Sequence, residues 1–187
     1  MFYVTGDIHG EVFDLRNRCV RNDLTENDTV IILGDVGANY FLDERDADTK
    51  KKLQKIKPTI FCIHGNHEAR PETIGTYKTK EWNGGIVYYE PEFPKLLFAK
   101  DGEIYDVGGK KAMVIGGAYS VDKWCRLQCD LHWFPDEQPS AEVKARVEQK
   151  LTESDWKVDY IWTHTCPEKY TPREAFMSCI DQSTVDN

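Results

Sequence analysis

A chain of 187 residues, 40% hydrophobic and 30% charged, has the length and balance of one globular domain that can bury a core without cross-links. Its net charge of −8 argues against a broad nucleic-acid-binding face, so nucleic acid enters only as a substrate. No charge-free apolar run reaches membrane-spanning length and "MFYVTGDIHG" lacks a basic leader, so no membrane partner and a cytoplasmic location are expected.

In chain order, Phe2–Thr5 is a short β-branched and aromatic run that suits a buried strand. Glu11–Arg21 follows with Val12, Leu15 and Cys19 on one helical face. Thr29–Leu33 and Thr59–Ile63 repeat the strand pattern. Between them Asp46–Ile56 offers a charged helix that ends before Pro58, since proline disfavours helix at the residue ahead of it. This β-α-β-α-β order predicts an α/β architecture with parallel pairs. The middle changes character. Ile86–Tyr89, Lys95–Ala99, Glu103–Val107 and Lys111–Ile115 are strand-like, with turn signals at Asp101-Gly102 and Gly108-Gly109, which predicts an antiparallel stretch. Ser140 reads as an N-cap for a helix over Ser140–Thr152, and Tyr160–Thr163 is a last strand leading into His164. The final twenty residues carry no clear pattern.

The six cysteines are scattered, as in a chain of reduced thiols. Cys125, Cys129 and His132 have loose metal-ligand spacing, but a helical turn with two packed thiols is the simpler reading. Trp124, Trp133 and Phe134 are expected to pack, and the Lys50–Lys57 run to form a solvated helix face.

The strand ends hold the chemistry. The first strand runs into Gly6-Asp7-Ile8-His9-Gly10, the second into Gly34-Asp35, the third into His64-Gly65-Asn66-His67-Glu68 and the last into His164. In a parallel sheet these carboxyl ends share one edge, where loops build ligand sites. Asp7, His9, Asp35, Asn66, His67 and His164 are therefore expected to converge. Carboxylates, imidazoles and an amide oxygen suit Mn²⁺, Fe²⁺/³⁺, Zn²⁺ or Mg²⁺. Two ions sharing a carboxylate would use six such side chains well, and such pairs ionise water and clamp a phosphoryl group.

"GDIHG" (6–10), "GD" (34–35), "GNHE" (65–68) and "THTCP" (163–167) resemble the calcineurin-like metallophosphoesterases in order and spacing. The resemblance implies an α/β fold, a four-layer β-sandwich flanked by helices, over one domain spanning 1–187. It implies two metal ions, Mn foremost with Fe, Zn, Ni or Mg as alternatives. Asp7 and His9 would bind the first, Asn66 and His164 the second, and Asp35 would bridge them. His67 looks like the family's catalytic histidine. The implied activity is that of a phosphoric ester hydrolase: a metal-bridging hydroxide attacks phosphate mono- or diesters.

Three departures qualify this. The family's closing Gly-His-x-His motif is absent and no histidine follows His164, so the domain is expected to lack its C-terminal portion. That absence also motivates an alternative, a binding or scaffold module with little turnover. Where the protein phosphatase branch carries an Asp and an Arg after its second motif, this chain has Ala38 and Asn39. Where that branch has Arg before Gly-Asn-His-Glu, this chain has His64. Losing both bidentate grips argues against a phosphoprotein substrate. His64 and Arg126 are substrate-binding candidates, His64 as a phosphate donor or equally as a strand residue facing a neighbour. Arg70 is a further cationic candidate, and Asp122 lies within reach. Substrate identity and oligomeric state are not set by the sequence.

Overall fold

All four residues of Thr29–Ile32 are buried, and strand alternation divides them between two cores. Val30 and Ile32 join one apolar cluster and Ile31 another. The computed structural model, which describes residues 1–170, places this strand (β2) between β1 (Phe2–Thr5) and β3 (Thr59–Cys62), all parallel. β6 (Leu96–Ala99) continues the parallel run beside β3. The direction then reverses through β5 (Gly85–Tyr89) and β4 (Lys78–Trp82), giving the order β1-β2-β3-β6-β5-β4. A second sheet pairs β7 (Ile104–Asp106) antiparallel and β9 (Tyr160–Thr163) parallel to the central β8 (Lys111–Ile115).

Helices α1 (Val12–Arg21) and α2 (Glu44–Leu53) bring Val12, Leu15, Cys19 and Leu53 onto one face of the large sheet, against Val30, Ile32, Ile60 and Cys62. On the opposite face Ile31, Phe61, Val87 and Leu97 meet Tyr105, Ala112 and Val114 of the second sheet. Behind that sheet, Met113 is covered by Val147 and Leu151 of α4 (Ala141–Glu153), which Ser140 caps through the Val143 N–H. Helices, sheet, sheet, helix is the four-layer sandwich expected. No helix among the described residues is long and apolar enough to cross a membrane.

Several local expectations change. β4 was not expected because Lys-Thr-Lys-Glu-Trp is a charged edge strand. Its signal lies in the turn: Asn83 and Gly84 have φ of 49° and 81°, the left-handed pair of a tight hairpin. α2 starts earlier than Asp46, since the Asp43 carboxylate caps it through Arg45 N–H. Lys50 is not a solvated residue. It is buried, with Nζ 2.6 Å from Glu90 Oε2. Cys125 and Cys129 do sit on a helical turn, α3 (Lys123–Gln128) and its C-cap, but both thiols are exposed rather than packed. Trp124 is exposed as well.

Candidate metal centre

β1, β2 and β3 run parallel, so their C-terminal loops meet on one edge, and backbone hydrogen bonds lace the loops together. Asp35 O accepts from Ile8 N (3.3 Å) and His9 N (2.8 Å), and Val36 O accepts from Gly10 N (3.0 Å). His9 and Asp35 hold left-handed backbones, φ 42° and 47°. Non-glycine residues adopt this region at a cost, which tends to collect at functional sites. Gly34, at φ +114°, leaves the space that His164 occupies: a Cβ there would stand 2.1 Å from His164 Nδ1.

Asp35 is the centre of the arrangement. It is 2% exposed, and its Oδ1 accepts from the His67 backbone N–H at 2.8 Å. Its Oδ2 lies 3.9 Å from His9 Nε2, 3.5 Å from His67 Nδ1 and 3.6 Å from His164 Nε2. Asp7 flanks it, with Oδ2 3.8 Å from His9 Nε2 and Oδ1 3.7 Å from His164 Nδ1. Two groups of donor atoms, His9–Asp35–His67 and Asp7–Asp35–His164, each lie within 4.8 Å of one another, and Asp35 belongs to both.

Donor accounting shows what these atoms lack. His164 Nδ1 sits 2.7 Å from Leu33 O, which only accepts, so Nδ1 carries a proton. In the neutral ring Nε2 then presents a lone pair, 2.8 Å from Asn66 Oδ1. Asn66 Oδ1 also presents lone pairs, because its Nδ2 donates to Ser120 Oγ at 2.8 Å. Asp35 Oδ2 adds a third acceptor on the same side. Three acceptors facing one another want a cation between them, and this oxygen-and-imidazole set fits a hard-to-borderline divalent ion.

His67 is differently placed. Arg126 only donates, and its Nη2 lies 3.2 Å from His67 Nδ1, so Nδ1 is the acceptor and the proton sits on Nε2. Asp122 Oδ1 stands 3.6 Å from that nitrogen. Burial lowers the His67 pKa, with Arg126 and His9 adding to the effect and Asp35 and Asp122 opposing it. Arg126 is held from several sides: Nε bonds Asp122 Oδ2 (2.8 Å), and Nη1 reaches Tyr40 OH (3.2 Å) and His132 O (3.1 Å). A cavity of about 200 Å³ opens here, lined by His9, Gly37, Tyr40, Phe41, His67 and Arg126.

The other candidates lie inside the protein. His64 is buried at 3% exposure, and neither ring nitrogen has a hydrogen-bond partner among the described residues. Burial, with Arg70 and His164 nearby, holds its pKa well below the ordinary value, so the ring is neutral. It offers no nitrogen to the open face. Ala38 is fully buried, and Asn39 Oδ1 accepts from Tyr77 OH at 2.9 Å. Arg70 is structural: Nη1 pairs with buried Asp101 Oδ2 at 2.7 Å and Nε donates to Asp136 O at 2.7 Å. Arg70→Ala is expected to cost about 3–5 kcal/mol, because it strands a buried carboxylate. An unfolding free energy from urea titration lowered by less than about 1 kcal/mol would show the pair to be dispensable.

Sequence reasoning missed three contributors. Glu68 is fully buried, its Oε1 accepts from Gly65 N at 2.9 Å, and burial raises its pKa to about 8. Ser120 and Glu137 bond Asn66 and each other. Only Glu68, inside the "GNHE" motif, carried a signal. His132 does not join Cys125 and Cys129 in a donor cluster among the described residues; its ring packs on Tyr40 and Phe41. The segment where a closing histidine motif was sought lies outside the described residues.

Comparison with known proteins agrees with this geometry. No curated protein matches the chain. The family model described as calcineurin-like phosphoesterase matches residues 1–168, nearly the whole chain and all four strand-end motifs. With that span matched and the sandwich and donor cluster in place, the chain belongs to the calcineurin-like phosphoesterase family.

Proposed function

We propose that this protein is a metal-dependent phosphoric ester hydrolase acting on phosphate mono- or diesters. One observation carries the reading: lone pairs of His164 Nε2, Asn66 Oδ1 and Asp35 Oδ2 face one another, with Asp7 and His9 of a further strand end beside Asp35. Asp7 and His9 would hold one ion, Asn66 and His164 a second, and Asp35 both, with Mn²⁺ the proposed metal. Bound there, the ions would supply a water ionised near neutral pH and positive charge against the phosphoryl oxygens.

The chain's own residues do the rest. His67 keeps its proton on Nε2 and donates it as a hydrogen bond to the departing oxygen, stabilising the charge that builds there, with its ring direction set by Asp122 and Arg126. Arg126 lines the cavity and is fixed before substrate arrives, so little side-chain entropy would be lost in gripping a phosphoryl oxygen. Tyr40 and Phe41 wall the space beside His67. These surroundings of His67 support turnover over a binding module.

Protein supplied with Mn²⁺ is expected to hydrolyse p-nitrophenyl phosphate or its bis-ester, and to stop when the metal is chelated. Sustained turnover in metal-free protein would overturn the reading. Removing this donor with His67→Ala is expected to lower kcat by about 10²–10³-fold. Bound Mn²⁺ should stay at the parental level, since Arg126 occupies Nδ1. A loss of metal in this variant would instead make His67 a ligand.

A further inference from the structure

An asparagine that serves a cation has a problem a carboxylate does not. Its two ends are nearly equal in size and opposite in polarity, and only the oxygen can face the ion. We infer that Ser120 and Glu137 are positioning residues that set which end of the Asn66 amide faces the metal site. The inference rests on the metal reading above.

Hydrogen-bond polarity runs from Glu137 through Ser120 to Asn66. Glu137 is 3% exposed and, as a carboxylate, only accepts. It receives the Ser120 N–H (3.1 Å), the Trp133 Nε1–H (2.9 Å) and the Ser120 hydroxyl, whose 2.5 Å contact has the short length of a charge-assisted bond. The hydroxyl has one hydrogen, and Glu137 takes it. Ser120 Oγ therefore turns lone pairs toward Asn66. Only the amide nitrogen can answer them, at 2.8 Å, which leaves Oδ1 on the side of His164 Nε2 and Asp35. A flipped amide would set Oδ1 against the Ser120 lone pairs and aim two N–H groups at the ion. Trp133 locks the far end, because its N–H fixes Glu137 Oε2. Ser120 itself is 1% exposed, so water does not substitute for it.

The test is Mn²⁺ titration of the metal-free protein by calorimetry, with thermal melting as a check on folding. Ser120→Ala is expected to weaken Mn²⁺ binding by about 10–100-fold, the usual range for partners that orient metal ligands, and Ser120→Thr to restore it. Glu137→Gln, which keeps the volume but cannot accept from all three donors, should show the same loss should Ser120→Ala prove too unstable to titrate. The decisive arm uses Asn66→Asp. A carboxylate has no wrong end, so adding Ser120→Ala to Asn66→Asp should leave its Mn²⁺ affinity unchanged. An equal loss in both backgrounds, or parental affinity in Ser120→Ala, would overturn the orienting role and leave the metal reading standing. A parent chain that binds no Mn²⁺ overturns both.

Discussion

Asp35→Asn is expected to abolish Mn²⁺ binding and to lower phosphoesterase turnover by about 10³-fold or more, because a water would become readily ionised near neutral pH only where a metal ion held it. The substitution isolates one oxygen. Asp35 Oδ1 accepts from His67 N at 2.8 Å in the buried layer, and an asparagine keeps that bond by placing its carbonyl there. Its amide nitrogen then falls at the Oδ2 position, 3.5–3.9 Å from His67 Nδ1, His164 Nε2 and His9 Nε2. Two N–H groups replace the negative charge shared by both donor sets. The fold should survive, so a urea midpoint close to the parent's must accompany the lost activity. Full turnover in this variant would show that Asp35 does not serve the reaction.

Gly65→Ala should damage fold and site together. A Cβ at Gly65 would lie 2.0 Å from Asp35 Oδ1, 2.3 Å from Asp35 N and 2.8 Å from Asp35 Cγ. Part of that clash is with backbone, so no rotamer change relieves it. The Asp35 loop must move, and Asp35 O is tied to the first loop through the Ile8 and His9 N–H groups. Overpacking of this kind costs about 1–3 kcal/mol in stability. The shift also carries Asp35 away from the three imidazoles, so activity should fall with stability. Gly75→Ala is the control, because nothing lies within 4 Å of its added Cβ. Equal melting temperatures for the two variants would contradict the close-packing account.

The first three strands in chain order were legible, β2 and β3 because burial on both faces made the pattern plain. Thr29–Ile32 needs no alternation to read as a central parallel strand, and the polar residues after such strands must gather at one edge. By that rule Asp7, His9, Asp35, Asn66 and His164 are expected at one edge, and the fold brings them together there. β4 escaped because its charged residues mask the hairpin that Asn83-Gly84 announces. The surroundings of His67 were legible only in part: Arg126 and Asp122 are expected near the substrate, but not as partners of His67. Ala38 and Asn39 leave no carboxylate or guanidinium in that stretch, and the groups beside His67 come from Asp122 and Arg126 on α3 and its cap. Contacts between irregular segments far apart in sequence leave no periodicity to read. Ser120 and Glu137 are hidden in the same way, and their role appears only when hydrogens are counted.

His64 shows where pattern and environment part. Its place before Gly-Asn-His-Glu suggested a phosphate contact, yet β3 carries it into the buried layer beside Gly116. The cation facing the cavity is Arg126 instead.

The central claim is that Asp35 joins two cation sites. Anomalous diffraction from crystals of the Mn²⁺-loaded protein tests it most directly. Two Mn²⁺ peaks flanking Asp35 are predicted, one with Asp7 and His9 and the other with Asn66 and His164. A single peak, or ions bound away from Asp35, would contradict it.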